Sequence, residues 1–259
     1  MLNNSKKNRI YINLSNISTG GAIQVAMSFM DHIVFLEKNH NFYFFFSKRL
    51  HNEIKNSHLG PYLDQLTYQI ISKHRLFFYF TIIQPKKIFT LFGPLYSLKL
   101  LSGRDWISGF AQPWILFPKN KVYNELDLVT RLRFKIIFWI QKAFFFNSHT
   151  LIVEHDGIKT RLQELFKNKK IVVAMNCLNQ IFLNPNRWRS IEISKTDKVK
   201  IGVIGRNYIH KNLSIIPLVH DFLEKNHSIK PQFYCTLTST EMNKMSEDFK
   251  KKVISLGEL

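Results

Sequence analysis

The chain has 259 residues, 45% of them hydrophobic and 14% aromatic, which excludes a disordered polymer and allows one large domain or two modest ones. Its 37 Lys and Arg against 18 Asp and Glu give a formal net charge of +19, which points to anionic partners without choosing among nucleic acid, acidic lipid and phosphorylated ligands. Cys177 and Cys235 are too few for a disulfide framework or a four-ligand zinc site and suit a reducing compartment.

The apolar run after the charged N-terminus is too short for a signal-peptide core. No stretch offers the roughly eighteen uninterrupted apolar residues of a spanning helix. The expected location is cytoplasmic, with the inner face of the cytoplasmic membrane as a further station.

In chain order, Arg9 to Leu14 reads as a strand. It is followed by a loop holding Gly20 and Gly21, then a helical pattern through Ile23, Ala26, Met27 and Met30. Adjacent glycines let a backbone take positive φ and come close to a ligand, although they also serve in ordinary turns. A full G-x-G-x-x-G is missing, so a dehydrogenase-type dinucleotide site gains little support. Asn41 to Phe46 reads as a strand buried on both faces, Lys48 to Asn56 as a short helix, Leu66 to Ile71 as a strand, Arg75 to Ile83 as a helix and Lys87 to Phe92 as a further strand. Trp106 to Pro118 reads as a loop-bearing strand end near a cleft, whose aromatic side chains either stack on a sugar or pack in the core.

A long helical stretch spans Leu126 to Phe146. Its segment FKIIFWIQKAFFF, at 134 to 146, is preceded by Arg131 and Arg133. It reads as a membrane-surface helix or as a buried core helix, since its apolar residues run around most of the circumference. Thr150 to Val153 then reads as a strand, Gly157 to Phe166 as a helix and Lys170 to Ala174 as a strand.

Strands alternating with helices, without hairpin signals, argue for an α/β fold on a mostly parallel sheet. The expected division is a first Rossmann-like domain over 1–176, a linker over 177–197 and an incomplete second Rossmann-like domain over 198–259. In the last, a strand at Val199 to Gly205 precedes a helix from Lys211 to Lys225, a strand at Gln232 to Leu237, a helix from Thr240 to Lys252 and a strand at Val253 to Leu256.

The sharpest chemical signal is Val199 to Asn212, VKIGVIGRNYIHKN. It sets Arg206 and Lys211 at the carboxyl end of a strand, where open α/β sheets bind ligands and helix N-termini offer N–H groups to phosphate. The pair reads as a diphosphate clamp or as a solvated basic loop, and His210 beside it reads as a further phosphate donor or a surface residue. Glu154-His155-Asp156 is the densest titratable cluster. His155 is a weak candidate base, and the competing reading is a solvated helix start capped by Asp156.

No H-E-x-x-H, Walker A, Asp-x-Asp or Cys-rich pattern occurs, and the histidines show no metal-ligand spacing. No metal and no cofactor are therefore expected.

The glycine loop at 20–21, FGP at 92–94, GFAQPW at 109–114 and above all IGVIGRNYIHKNL at 201–213 with ISLGEL at 254–259 resemble the retaining glycosyltransferases of family 4, of GT-B type. The resemblance covers the length of the chain, with the first half more divergent. It implies two Rossmann-like domains, a nucleotide-sugar as donor substrate, a saccharide or lipid-linked acceptor, and Gly20, Gly21, Arg206 and Lys211 around the donor diphosphate.

The family's paired glutamates would lie beyond Leu259, so a C-terminally truncated chain with an impaired donor site is the expectation. A non-catalytic remnant is the alternative. Nucleic-acid binding is the weakest reading, because the basic residues are scattered and form no reader motif.

Overall fold

The structure, a computed structural model, describes residues 9–18, 20–35, 42–98, 103–176, 180–187, 196–208 and 211–257. The chain divides into two compact units, Met1–Trp188 and Arg189–Leu259.

In the first unit seven strands form one sheet in the order β3-β2-β1-β4-β5-β6-β7. They are β1 (Ile10–Leu14), β2 (Phe42–Phe46), β3 (Tyr68–Ile70), β4 (Lys87–Thr90), β5 (Asp105–Gly109), β6 (Thr150–Val153) and β7 (Lys170–Val173). Every pairing is parallel. The chain winds outward from β1 through β2 to β3, returns to the other side of β1 and winds the opposite way. The order therefore reverses at the β1–β4 seam, which is the doubly wound arrangement.

The strand sequences explain why both faces are covered. In β2 (FYFFF) side chains alternate between faces, so Phe44 and Phe46 join a core with Ile12, Leu14 and helices α1 (Gly20–Phe35) and α2 (Lys48–Lys55). Phe45 points the other way, into a core with Tyr11, Ile88, Trp106 and two residues of α3 (Lys73–Ile83), Leu76 and Phe80. Fully burying such rings contributes about 2–3 kcal/mol each.

After β5 come two short helices, α4 (Pro113–Leu116) and α5 (Lys121–Glu125), then the long α6 (Leu128–Phe145) and finally α7 (Asp156–Leu165) between β6 and β7. Asp127 caps α6 by accepting from the Thr130 N–H at 2.9 Å. A third core joins Phe145 of α6 to Leu162 of α7, Phe166, Leu151, Val153 and Ile171.

The buried-helix reading of α6 is not upheld, because Phe145 alone of its residues is buried. The helix presses Phe134 and Phe138 against Trp114 and leaves a second apolar face in solvent.

The second unit holds a three-stranded parallel sheet in the order β10-β9-β8, built from β8 (Val199–Val203), β9 (Pro231–Cys235) and β10 (Val253–Ser255). Its core gathers Leu213, Ile216, Phe233, Cys235, Leu237, Phe249 and Val253.

Two helix boundaries differ from the sequence reading. The helix expected from Lys211 begins only at Ile216, as α8 (Ile216–His227), after a 3₁₀ segment at Leu213–Ile215. Asn212 sits at φ 46° and Pro217 fixes the first turn, so Lys211 lies ahead of the helix and not at its mouth. The helix expected over Thr240 to Lys252 is two, α9 (Ser239–Met242) and α10 (Glu247–Lys252), because Ser246 accepts from the Phe249 N–H and starts a new helix.

The tightest backbone approach in the first unit is at Gly109, where an added Cβ would lie 1.8 Å from the Leu91 carbonyl oxygen. Gly109→Ala must push β5 away from the turn after β4. It is expected to destabilise the chain by about 3 kcal/mol in urea unfolding. A change within the error of the fit would mean that this approach is not constrained.

Candidate functional site

The strand ends at the seam are organised by polar side chains. Asn13, buried near the end of β1, donates from Nδ2 to Thr90 Oγ1 of β4 at 3.3 Å and accepts from the Ser15 N–H and hydroxyl at 3.1 and 2.8 Å. Asn16, two residues past β1, donates from Nδ2 to the Phe92 carbonyl. Both loops that leave the reversal point are thereby tied to each other.

A cleft of about 430 Å³ opens above them, lined by the loop residues Asn16, Ile17, Phe92, Gly93 and Pro94 together with Gly21 of α1 and Glu154 after β6. Lys73 from the first turn of α3, Tyr96, Gln112 and Gln141 of α6 complete the wall together with the apolar Ala22, Val25 and Ala111.

Within this largely apolar wall stand four neutral hydrogen-bonding side chains, Asn16, Tyr96, Gln112 and Gln141. Asn16 Oδ1 and Gln141 Oε1 are buried atoms without a donor among the described residues. Burial pushes the Tyr96 hydroxyl up from its usual range, against a hydrogen bond from Gln141 that lowers it, so Tyr96 stays a neutral hydroxyl at physiological pH. Two charges of opposite sign, Lys73 and Glu154, line the same space.

Gly20 opens α1 at φ 58°, a left-handed conformation that glycine takes without strain. Gly21 is different, since an added Cβ there would meet nothing within 4 Å. The open space it leaves is the cleft itself.

The other sequence candidates are distributed as follows. His155 is exposed and is not a lining residue of this cleft; its Nδ1 accepts from the Gly157 N–H at 2.9 Å as the cap of α7. His155, not Asp156, is therefore the cap, and Asp156 occupies the first turn, where a carboxylate meets the helix dipole favourably. Trp106 is fully buried under α3, and Trp114 is held edge-on by Phe134 and Phe138, so both serve packing.

In the second unit Arg206 follows β8 and donates from Nε to Glu241 Oε1 at 3.1 Å. The Asn207 N–H reaches the same oxygen at 3.2 Å, while Glu241 Oε2 takes the Thr238 N–H and hydroxyl, each at 3.0 Å. Gly205 and Thr236 exchange hydrogen bonds at 3.0 and 3.2 Å, pinning the loop after β8 to the loop after β9. Lys211 is exposed, its N–H donating to the Tyr208 carbonyl at 2.8 Å. His210 and Cys177 lie outside the described residues.

No family model and no curated protein matches the chain. Among solved structures it is similar to the apo form of lipopolysaccharide outer core galactosyltransferase WaaB, at 11% identity and a TM-score of 0.47, over 97% of this chain and 68% of that one. Likeness at that level supports no argument about chemistry. The α/β class rests on the parallel sheets themselves.

Sequence reasoning did not single out Lys73, Tyr96, Gln112 or Gln141. Gln112 lay inside a quoted motif, and Gln141 was visible as the lone uncharged polar residue in FKIIFWIQKAFFF. Lys73 and Tyr96 carried no local signal. Sequence spacing also missed that His220, Asp221 and Glu224 gather on one turn of α8. The Lys252 ammonium lies 2.7 Å from Asp221 and already opposes that charge.

Burial pushes the Glu241 carboxyl up, but the hydrogen bonds from Thr238 and Asn207 and the Arg206 charge outweigh it and hold the group below its ordinary 4.5. A depressed carboxyl contributes stability that is full above the unfolded value and is lost as pH falls through the folded one. Glu241→Gln is therefore expected to unfold at lower temperature than the parent at neutral pH, with the gap closing below pH 4.5 in thermal melts. A gap that is constant across that range would show that Glu241 carries no such linkage.

Proposed function

We propose that the chain is a glycosyltransferase, or the sugar-recognising part of one, that moves a sugar from a nucleotide-sugar to a saccharide acceptor. The observation that carries this reading is the cleft at the β1–β4 reversal. Open parallel sheets hold their ligands outside the carboxyl ends of the strands at such a point. There the wall offers amide groups, a neutral hydroxyl and two buried carbonyl oxygens with no donor among the described residues. Hydroxyl groups of a saccharide supply the missing donors, and burying an acceptor unpaired costs about 1–3 kcal/mol.

The same reading gives Arg206 and Lys211 the donor diphosphate. A leaving nucleoside diphosphate gains negative charge in the transition state, and fixed cations and N–H groups stabilise it. Arg206 is suited to this by its planar fork of donors, and a diphosphate would compete with Glu241 for it. Gly20 and Gly21 leave room for a ligand to approach the start of α1, where the helix dipole favours an anion. Retention of configuration and a cell-surface polysaccharide or lipid-linked acceptor follow from the sequence resemblance and are part of the proposal.

Calorimetric titration with the nucleoside diphosphates tests the clamp, and titration with oligosaccharides tests the cleft. Arg206→Ala is expected to weaken the diphosphate by roughly tenfold or more, and Glu241→Gln to tighten it by removing a competing negative charge. Gly21→Leu should abolish saccharide binding at an unchanged melting temperature. Diphosphate affinity indifferent to Arg206 would remove the clamp, and saccharide binding indifferent to Gly21 would remove the cleft. Saccharide binding without any diphosphate binding would favour a non-catalytic sugar-binding chain.

A further inference from the structure

Helix α6 carries an apolar face that the fold does not use. Leu128, Val129, Leu132 and Trp139 are 76, 79, 60 and 73% exposed, and Ile136 and Ile140 are exposed beside them. At 100° per residue these six fall within an arc of about 120°. The opposite side carries Phe134, Phe138 and Phe145, which pack on Trp114 and the third core. Arg131, Lys135 and Lys142 border the exposed arc on one edge and Arg133 on the other. No acidic residue occurs from Leu128 to Phe146. Beside α6, the Phe77 ring of α3 packs edge-on to Phe144 at 6.3 Å, and α3 exposes Phe78 and Ile82.

A monomer in water has no use for such a stripe, which exceeds the scattered single apolar residues that surfaces normally carry. Among the described residues no helix is long and apolar enough to cross a membrane. The face therefore suits lying in an interface and not spanning one.

We infer that α6 is an interfacial anchor: it seats its Leu128–Ile140 face among the acyl chains of an anionic lipid surface, with Arg131, Arg133, Lys135 and Lys142 at the headgroups. Charge selects this occupant. A second copy would set four cations against four, whereas an acidic headgroup layer neutralises them while the apolar arc leaves water. Trp139, with an apolar ring and one N–H donor, has the chemistry of residues that settle at the headgroup boundary. The inference does not depend on the sugar-transfer reading, because it uses no residue of the cleft or of the clamp.

Co-sedimentation of the full chain with vesicles of phosphatidylcholine alone, and of an equimolar phosphatidylcholine–phosphatidylglycerol mixture, tests it at low and raised salt. Binding is expected to the mixed vesicles, weakened by salt. It should fall by about tenfold or more in Leu132→Glu/Trp139→Glu, whose positions are exposed and whose circular dichroism should match the parent. Arg133→Gln/Lys135→Gln should weaken it too. Brominated acyl chains should quench part of the tryptophan emission of the parent, and that part should be missing in Trp139→Phe.

Failure to bind the mixed vesicles would overturn the inference. So would binding that survives Leu132→Glu/Trp139→Glu, since a purely electrostatic film needs no apolar arc. A dimer in sedimentation equilibrium that the same double variant disperses would assign the face to a second copy instead.

Discussion

The first unit depends on one seam, the parallel pairing of β1 with β4. There the direction of winding reverses, so the loops that leave the two strands run away from each other and leave a cleft between them. That space would cost unpaired backbone groups if the strand ends were loose. Asn13 answers this by reaching Thr90 across the seam while accepting two bonds from Ser15, and Asn16 does so by holding the Phe92 carbonyl. The cleft is thus held open by hydrogen bonds that lie beneath it. In its wall Asn16 Oδ1 and Gln141 Oε1 stay without a donor among the described residues.

The second unit meets a different electrostatic problem with the same economy of residues. Arg206 brings a cation to a strand end, and Glu241 brings a carboxylate to a helix start. Their pairing satisfies both while Glu241 also closes the capping box with Thr238. The Glu241 carboxylate thus faces the guanidinium and also holds the Asn207 N–H, which fixes the loop after β8.

Helix α6 links these local arrangements to the outside of the molecule. Its inner side adds Gln141 to the cleft wall and Phe145 to a core, and its outer side presents an apolar arc bordered by cations. One element therefore contributes to the cleft wall and to the external surface at once. The periodicity of 3.6 residues makes this possible, because eighteen residues give each side several turns of its own.

Much of the architecture was legible in the residues. Alternating strand and helix patterns, the absence of hairpin signals and the all-aromatic β2 led to an α/β fold on a mostly parallel sheet, since strands covered on both faces must be apolar throughout. The glycine pair at the start of α1 was legible as a place where the backbone takes positive φ, as Gly20 does, and Arg206 as a cation at a strand end.

Tertiary structure alone decided the rest. Lys73, Tyr96 and Gln141 have no local signature, and only the winding of the sheet brings them to the same cleft as Asn16. The engagement of Arg206 by Glu241 depends on β9 lying beside β8, which no spacing between the two residues discloses. The two faces of α6 look alike in sequence, both apolar. Which one is buried follows from where Trp114 and the sheet stand, because burial is a property of neighbours in space and not of the residue.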